Sequence, residues 1–418
     1  MTRGRQALLG LSAALTVAFL LRQWQGYDGD AYVDLRVYRA GAQAWLDSGS
    51  AYAGDLVPEG LRFTYPPFAL VVLAPLAAVP GWLAAACLVA LDTALVLGIL
   101  VVALHAAPGR HKGAPRADRL DALVLLGPVL WLEPVRNTVD YGQINLVLLA
   151  LVLVDALVVP PRWRGIGMGV AAAVKVVPAF YGLYWLLTGQ WRPAARMVAG
   201  AVGATGLAAV LMPRDSWRYW THTLFETERV GALWYTSNQS LRGACVRLVG
   251  ADGSTATALW MLSVMGVLAL TVVAVRRHAG TGPGETSGKR TQGLVALTCV
   301  GLAGLLVAPI SWSHHWVWFV PTAVVLGVAA VGVPRRPVAA ALLATLAVGY
   351  VAVCYLAPHW LLPHELDREL DWTPAQWLAG SAYPLLALVV LAALALPTAS
   401  SRLGAAHSAT TSRPSGSM

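Results

Sequence analysis

The polar residues best suited to chemistry stand beside long apolar stretches. Asp34 opens the segment Asp-Leu-Arg-Val-Tyr-Arg, and Lys175 lies near Pro178 inside an apolar run. A carboxylate held at a membrane boundary is partly desolvated, which raises its pKa towards the range that a general base needs. A lysine deep in an apolar run marks a functional cavity more often than it snorkels to the membrane surface. These two residues are therefore the first candidates for a catalytic base and a substrate-binding cation.

The adjacent pair His314 and His315 is a further candidate, at the outer end of an apolar run. Side chains of neighbouring residues point about 100° apart on a helix, so the pair lacks the i, i+4 spacing of a zinc site. No third ligand follows from the sequence, although a metal shared with Asp34 stays an alternative. We expect one histidine to stabilise a phosphate leaving group and the other to orient an acceptor. A Trp/His belt at the membrane interface is the other interpretation.

Other polar groups suit contacts with a substrate. Guanidinium groups fit the geometry of a lipid phosphate, amides at the start of an apolar run can line a cavity, and aromatic rings beside amides can stack on sugars. Each has a structural alternative: rim solvation for the arginines, a membrane anchor for Tyr65, and ordering of a loop for the amides. The candidate substrate-binding residues are Arg36, Arg39, Arg62, Tyr65, Asn137, Gln143, Asn145, Lys175, Asn238, Gln239, Ser311 and Trp312.

An amphipathic helix is expected to position Asp34. Apolar residues recur at helical spacing after it, and polar ones fall between them. This pattern predicts a helix that lies along the outer membrane surface. An aspartate at the start of a helix also has an ordinary explanation, an N-cap. The apolar side comprises Leu35, Tyr38, Ala42 and Trp45, and the polar side comprises Arg36, Arg39 and Gln43.

The composition indicates a membrane protein. The chain has 418 residues, of which 57% are hydrophobic and 12% charged, with a mean hydropathy of +0.61. Soluble domains carry about 25% charged residues, and the apolar residues here form runs near the length that crosses a bilayer. The net charge of +9 comes from short basic clusters between these runs, which argues against nucleic-acid binding. The four cysteines show no disulfide or metal pattern.

Basic clusters define the expected topology, because cytoplasmic loops are rich in Lys and Arg. The N-terminal run resembles a retained signal anchor, with both termini inside. Residues 66–80 are too short to cross and are expected at the outer interface, and residues 165–188 are expected to form two half-helices that enter and return, broken near Lys175. The inside markers are 110–119, 160–164, 276–290, 335–336 and Arg402.

The predicted fold class is an all-α polytopic membrane protein with about 11–12 transmembrane or re-entrant helices. We expect one catalytic domain over residues 1–396 and a disordered cytoplasmic tail over 397–418, which is rich in Ser, Thr and Ala. Interfacial helices and loops gather on the outer face. The outer-face segments are 25–80, 131–143, 213–254, 310–316 and 358–376.

Several of these motifs, in order along the chain, resemble glycosyltransferase family 87 of the GT-C superfamily. The resemblance implies a GT-C fold with a periplasm-facing active site, metal-independent and inverting, which moves mannose from polyprenyl-phosphate-mannose to a membrane glycolipid, with Asp34 as the catalytic base. The Trp-Ser-His-His-Trp core is most similar to actinobacterial members that extend phosphatidylinositol mannosides through α-1,2 linkages. The motifs are Asp34-Leu-Arg-Val-Tyr38, Thr64-Tyr-Pro-Pro-Phe68, Tyr141-Gly-Gln-Ile-Asn145, Lys175-Val-Val-Pro178, Asn238-Gln-Ser240 and Ile310-Ser-Trp-Ser-His-His315.

Three alternatives remain at this point. A flippase for a polar lipid would account for Lys175 and a broken helix, but it leaves Asp34 and the histidines unused. A non-catalytic scaffold does not explain Lys175 or Gln143. A GT-C enzyme that uses another lipid-linked sugar, such as arabinose or galactose, is the third. We expect no cofactor or metal, no nucleic-acid partner, a monomeric state and an inner-membrane location.

Overall fold

The structure is a computed structural model. It describes residues 2–27, 31–52, 54–107, 115–226, 231–279, 287–331 and 337–396. The basic residues 110–114 and 335–336 and the expected disordered tail 397–418 lie outside the described residues, so those expectations stay predictions.

The described chain is almost wholly helical, with a single isolated β-bridge between Asn238 and Trp312. The first nine helices are α1 (Arg3–Gln25), α2 (Val33–Ser48), α3 (Pro67–Ala77), α4 (Gly81–Ala106), α5 (Pro115–Leu130), α6 (Glu133–Tyr141), α7 (Asn145–Leu157), α8 (Ile166–Val174) and α9 (Gly182–Leu187). The others are α10 (Trp191–Leu211), α11 (Pro213–Thr221), α12 (Leu241–Val249), α13 (Ser254–His278), α14 (Ser287–Val307), α15 (Phe319–Val331), α16 (Pro337–Leu356), α17 (Pro374–Gly380) and α18 (Ala382–Ala395).

Five helices among the described residues are long and apolar enough to cross a bilayer: Arg3–Gln25, Gly81–Ala106, Trp191–Leu211, Ser254–His278 and Arg290–Val307. Two bent pairs, α6 with α7 and α17 with α18, raise this number to seven if each pair is one span. The chain is thus a multi-pass membrane protein, and the all-α prediction is confirmed. The larger expected number of 11–12 spanning or re-entrant segments stays a prediction.

The α14 helix forms the centre of the bundle. Every residue from 294 to 306 is buried, whereas lipid-facing helices such as α10 expose most of their apolar side chains. A helix that is apolar on all sides and buried on all sides belongs to the core of a large bundle. The chain leaves α14 at its C-terminal end and enters the segment that carries His314 and His315, so this segment follows the most buried of the five candidate spans.

The expected break at Lys175 is confirmed. The α8 helix ends at Val174, Lys175 has an extended backbone, and a 3₁₀ helix follows over Val177–Tyr181. At the start of α8, the Asp155 carboxylate accepts hydrogen bonds from the backbone amides of Gly165, Gly167 and Met168. An anion at a helix N-terminus satisfies amides that have no partner within the helix. The interruption therefore lies between two ordered helical segments.

The predicted amphipathic helix exists as α2, and its apolar side is buried at Leu35, Tyr38 and Ala42. Its position along the outer membrane surface stays a prediction. The N-cap explanation of Asp34 is wrong. Tyr32 occupies the cap position with a left-handed backbone, and no side chain there accepts a capping hydrogen bond. Asp34 lies in the first helical turn and points to other partners, described below.

One local expectation needs correction. The polar segment 131–143 is not a simple turn between two spans, because it contains the nine-residue helix α6. This helix meets α7 at an angle of 118°. Glu133, Asn137 and Thr138 are buried on α6, and hydrogen bonds within the protein compensate for the cost of burying them. The density of polar residues predicts a membrane interface for this segment. The structure instead buries these polar side chains inside the protein.

Candidate active site

Asp34 is held by the first residues after α6. The amide of Gln143 hydrogen-bonds to the Asp34 carboxylate, and Gln143 Oε1 lies 2.8 Å from the hydroxyls of both Tyr38 and Tyr65. These two hydroxyls are 2.9 Å apart. Because Gln143 uses its oxygen for the tyrosines, its NH₂ group is directed to Asp34. The carboxylate therefore has a fixed position rather than a mobile one.

The environment of Asp34 suits a general base. Burial raises the pKa of its carboxyl to about 6, while the hydrogen bond from Gln143 and the charge of Lys175 lower it in part. Part of the side chain nevertheless stays exposed. A carboxylate with a pKa near 6 is ionised at neutral pH and is more basic than a solvated aspartate. It can therefore take a proton from a hydroxyl that approaches its exposed side.

A glycine sets the distance between Gln143 and α2. Gly142 has a φ of +71° at the end of α6, and a Cβ built there would lie 2.6 Å from the Cβ of Leu35. A side chain at this position would meet both a strained backbone and a clash with the helix that carries Asp34. The close approach of α6 to α2 thus requires glycine.

Lys175 joins the aspartate to the histidine segment. Its Nζ lies 3.1 Å from Asn145 Oδ1 and 3.3 Å from His315 Nε2, and it stands 5.0 Å from the centre of the Tyr65 ring. An ammonium group only donates hydrogen bonds, so His315 accepts through Nε2 and carries its own proton on Nδ1. The structure thus brings Asp34, Tyr65, Gln143, Asn145, Lys175 and His315 to one location.

His314 is placed by its backbone. Its carbonyl accepts hydrogen bonds from Thr138 Oγ1 at 2.8 Å and from Asn145 Nδ2 at 3.0 Å. Its ring packs edge-on against Tyr141 and His315, and within the described part of the chain neither ring nitrogen has a hydrogen-bond partner. The His315 ring has a polar contact to the cluster, whereas His314 contacts it only through its backbone carbonyl.

The predicted arginines bind protein groups in the structure. Arg39 donates to the carbonyls of Leu76 and Val79 near the end of α3, so it joins α2 to that end. Arg36 pairs with Glu59. Arg62 pairs with Asp55 at the exposed surface. None of these contacts involves the Asp34 cluster, and their role in binding a lipid phosphate stays a prediction.

The amides of the loop before α12, Asn238 and Gln239, have structural roles. Asn238 accepts hydrogen bonds from the backbone of Ser311 and Ser240 and donates to the carbonyls of Leu233 and Pro309. This fully buried side chain therefore ties the loop to the histidine segment. Two further predicted residues are also used inside the protein. Gln239 donates to the carbonyls of Thr236 and Gly380, and Asn137 donates to Glu133.

Two features were not assigned to the site from the sequence. Tyr38 was placed on the apolar side of α2, yet its hydroxyl takes part in the Gln143 contact. Glu133 is wholly buried and accepts from Asn137, Trp360 and Tyr383. The only sequence signal for Glu133 is an acidic residue between two apolar runs. Two of its partners, Trp360 and Tyr383, lie more than 200 positions away, beyond any local pattern.

The described residues contain no group of three or more His, Cys, Asp or Glu side chains that could hold a metal ion. The four cysteines are free. Asp34, His314 and His315 are thus not placed as a group that could share one metal ion. Metal independence itself stays a prediction.

Replacing His315 by alanine is expected to reduce turnover about 10²-fold, because the neutral imidazole beside Lys175 is lost. Trp318→Phe is expected to have a small effect, since Trp318 is buried against Tyr181 and does not contact Lys175. Initial rates of the two purified variants with saturating substrates measure this difference. Equal and mild effects would favour the aromatic-belt interpretation, which the burial of Trp316 and Trp318 already weakens.

The fold and the cluster define a multi-pass membrane protein in which a carboxylate, an ammonium and an imidazole converge at the ends of apolar helices. Residues 63–309 match the model of glycosyltransferase family 87. Together with the relatives below, this match shows that the chain belongs to glycosyltransferase family 87. It is therefore a glycosyltransferase, which confirms the predicted family and makes the flippase and scaffold alternatives wrong. The GT-C superfamily stays a prediction.

Two relatives illustrate the similarity. A polyprenol-phosphate-mannose-dependent α-(1-2)-phosphatidylinositol mannoside mannosyltransferase of Mycobacterium tuberculosis is 36% identical over 92% of this chain and 89% of its own length. A phosphatidylinositol pentamannoside mannosyltransferase of the same species is 34% identical over 77% of this chain and 71% of its own. The solved structure of apo ArnT from Cupriavidus metallidurans aligns with 93% of this chain at 15% identity and a TM-score of 0.36.

Proposed function

We propose that the enzyme transfers mannose from polyprenyl-phosphate-mannose to a hydroxyl of a phosphatidylinositol mannoside, with inversion at the anomeric carbon. The observation that carries this proposal is the convergence of Asp34, Lys175 and His315 around one polar location. Both relatives described above are named for this donor and for acceptors of this class. Transferases for another lipid-linked sugar, such as arabinose or galactose, form the alternative.

The chemistry requires one displacement. Asp34 accepts the proton of the acceptor hydroxyl, the hydroxyl oxygen bonds to the anomeric carbon, and the bond from that carbon to the phosphate oxygen breaks. The electron pair leaves with the polyprenyl phosphate, whose added negative charge Lys175 and the Nδ1–H group of His315 stabilise. A single displacement needs one base, whereas a retaining mechanism needs a second carboxylate as nucleophile. Inversion converts a β-linked donor into an α-linked product.

The charges and contacts support this assignment of roles. Lys175 is partly buried and lies within electrostatic reach of Asp34, so a cation and a base flank one point. The Lys175–Asn145 and Asn145–His314 contacts connect the cation to the backbone of the histidine segment. A departing phosphate would thus enter an environment that is already positively charged. Preorganised charges of this kind need no rearrangement during the reaction.

The direct test is incubation of the purified protein in lipid nanodiscs with radiolabelled polyprenyl-phosphate-mannose and a series of phosphatidylinositol mannosides. Label is expected in a product one mannose longer than the acceptor, and cleavage by an α-1,2-specific mannosidase identifies the linkage. Polyprenyl-phosphate-arabinose and a galactosyl equivalent are the comparison donors. Transfer from either of them, without transfer from the mannosyl donor, would contradict the proposal.

We also propose that the site faces the periplasm and that both termini lie in the cytoplasm. With Cys87 replaced by serine in all proteins, Ser50→Cys is expected to react with a membrane-impermeant maleimide in intact cells, and Gly113→Cys only after permeabilisation. The unsubstituted Cys87→Ser protein is the control for the three remaining cysteines. The reverse labelling pattern would place the Asp34 helix on the cytoplasmic side.

A further inference from the structure

Three aromatic side chains form a wall beside the histidine segment. The ring of Tyr235 stands edge-on to Trp312, with 6.0 Å between centroids, and edge-on to Trp360, at 6.2 Å. Trp312 and Trp360 are half-buried, and Tyr235 is 39% exposed. The wall thus combines contacts between its rings with open aromatic surface. We call Tyr235, Trp312 and Trp360 the aromatic wall.

A hydrogen bond to the buried Glu133 holds Trp360 of the aromatic wall in place. The indole N–H of Trp360 donates to Glu133 Oε1 at 2.8 Å, and the hydroxyl of Tyr383 donates to Glu133 Oε2 at 2.7 Å. Because Glu133 is wholly buried, it depends on these donors to offset the loss of water. Trp360 therefore has one preferred orientation.

Trp312 is fixed by the backbone. It forms the isolated bridge with Asn238, and Gly231 passes so close that a Cβ there would lie 3.3 Å from the indole ring. Gly231 has a φ of +114°, a conformation that other residues rarely adopt. The loop that carries Tyr235 therefore passes close to the Trp312 ring at Gly231, which has no side chain.

Tyr141 lies near both the aromatic wall and the Asp34 cluster. Tyr141 packs edge-on against His314 and lies within electrostatic reach of both Tyr235 and Asp34. Trp312 is three residues before His315, which contacts Lys175. A molecule whose reacting hydroxyl is at Asp34 would thus extend towards the wall with its neighbouring part.

These rings differ from ordinary membrane-interface tryptophans. Trp24 and Trp217 are 69% and 72% exposed, as expected of rings that lie among lipid headgroups. The rings of the wall instead contact one another beside the histidine segment. At its far end, the His364 ring lies 5.7 Å from Trp360, and its Nδ1 is 2.7 Å from the carbonyl of Leu362. With the proton on Nδ1, Nε2 is an acceptor.

We propose that the aromatic wall is a subsite for a pyranose ring of the acceptor headgroup, adjacent to the ring that receives the transferred sugar. The C–H face of a pyranose would stack on Trp360 or Trp312, and a sugar hydroxyl would donate to His364 Nε2. This inference rests on the proposed function, because it takes the acceptor to be a glycolipid. In this proposal the aromatic wall selects the acceptor, and the Asp34 cluster binds the donor.

The test compares Trp360→Ala, Trp360→Phe and Trp312→Ala with Trp217→Ala as the matched surface control. Equilibrium binding of tritiated phosphatidylinositol dimannoside to protein in nanodiscs, without donor, is measured first. Both alanine variants of the wall are expected to bind about tenfold more weakly. Trp360→Phe keeps an aromatic face and is expected to fall between wild type and Trp360→Ala. Unglycosylated phosphatidylinositol is expected to bind all four variants alike.

Steady-state kinetics give the second readout. Trp360→Ala is expected to raise the acceptor KM about tenfold while the donor KM changes much less. Unchanged dimannoside affinity in both alanine variants, or an equal loss in Trp217→Ala, would overturn the subsite. Weakened dimannoside binding without mannosyl transfer by the wild type would contradict the proposed function and support the subsite.

Discussion

Asp34→Asn is expected to lower the rate of mannosyl transfer about 10²–10⁴-fold, the usual effect of removing a general base. Asparagine has nearly the same shape and still accepts the hydrogen bond from Gln143, so the protein is expected to fold and to bind donor lipid. Single-turnover transfer in nanodiscs measures the rate, and equilibrium binding of labelled polyprenyl-phosphate-mannose measures donor affinity. Transfer at the wild-type rate would remove Asp34 as the base.

The pH dependence separates a base from a structural aspartate. Because the pKa of Asp34 is about 6, the carboxylate form predominates above that pH and is lost below it. The kcat/KM of the wild type is therefore expected to fall about tenfold per unit as pH decreases below 6. Asp47→Asn, an exposed change on the same helix, is the control and is expected to keep this profile. A flat profile between pH 5 and 7 would contradict the assignment.

Lys175→Met is expected to reduce kcat about 10²–10³-fold, the usual loss when a charge-stabilising donor is removed from a transition state. The donor KM is expected to change much less if the contact strengthens as the phosphate departs. Methionine fills a similar volume, so the helix break and the packing on Tyr65 are expected to persist. Initial rates over a range of donor concentrations separate the two parameters.

Two controls accompany this variant. Lys175→Arg keeps the charge but changes its shape and is expected to recover part of the rate. Removing the ammonium leaves Asn145 Oδ1 and His315 Nε2 without this donor, at a cost of about 1–3 kcal/mol in stability, so thermal unfolding followed by size-exclusion chromatography is measured in parallel. If loss of activity only followed loss of folded protein, or if donor KM alone changed, the leaving-group role would be wrong.

Local patterns predicted the elements around the site well. The spacing of Leu35, Tyr38 and Ala42 predicted α2, because burial of one helical face is a periodic property. The proline three residues after Lys175 predicted a helix break there, since proline lacks a backbone donor and restricts the residue before it. These signals operate over a few residues and therefore need no knowledge of the tertiary structure.

Partner choice was not predictable in the same way. The sequence shows that Arg36, Arg39 and Arg62 are cationic, but not that they pair with Glu59, two carbonyls and Asp55. Glu133 and Tyr383 are 250 positions apart and hydrogen-bonded. Such pairs depend on how helices cross, and no periodic signal encodes a crossing. The amides of Asn238 and Gln239 likewise suggested sugar contacts, whereas their hydrogen bonds order the loop before α12.

The turn at Gly142 makes the site sensitive to a residue that performs no chemistry. A single added methyl group would push α6 away from α2 and draw Gln143 back from Asp34, while every reactive side chain kept its identity. A substitution of Gly142 is thus expected to lower activity while all catalytic groups stay intact. A redesign of the base would also have to preserve this turn. The spacing between these two helices is therefore as necessary to the site as the functional groups themselves.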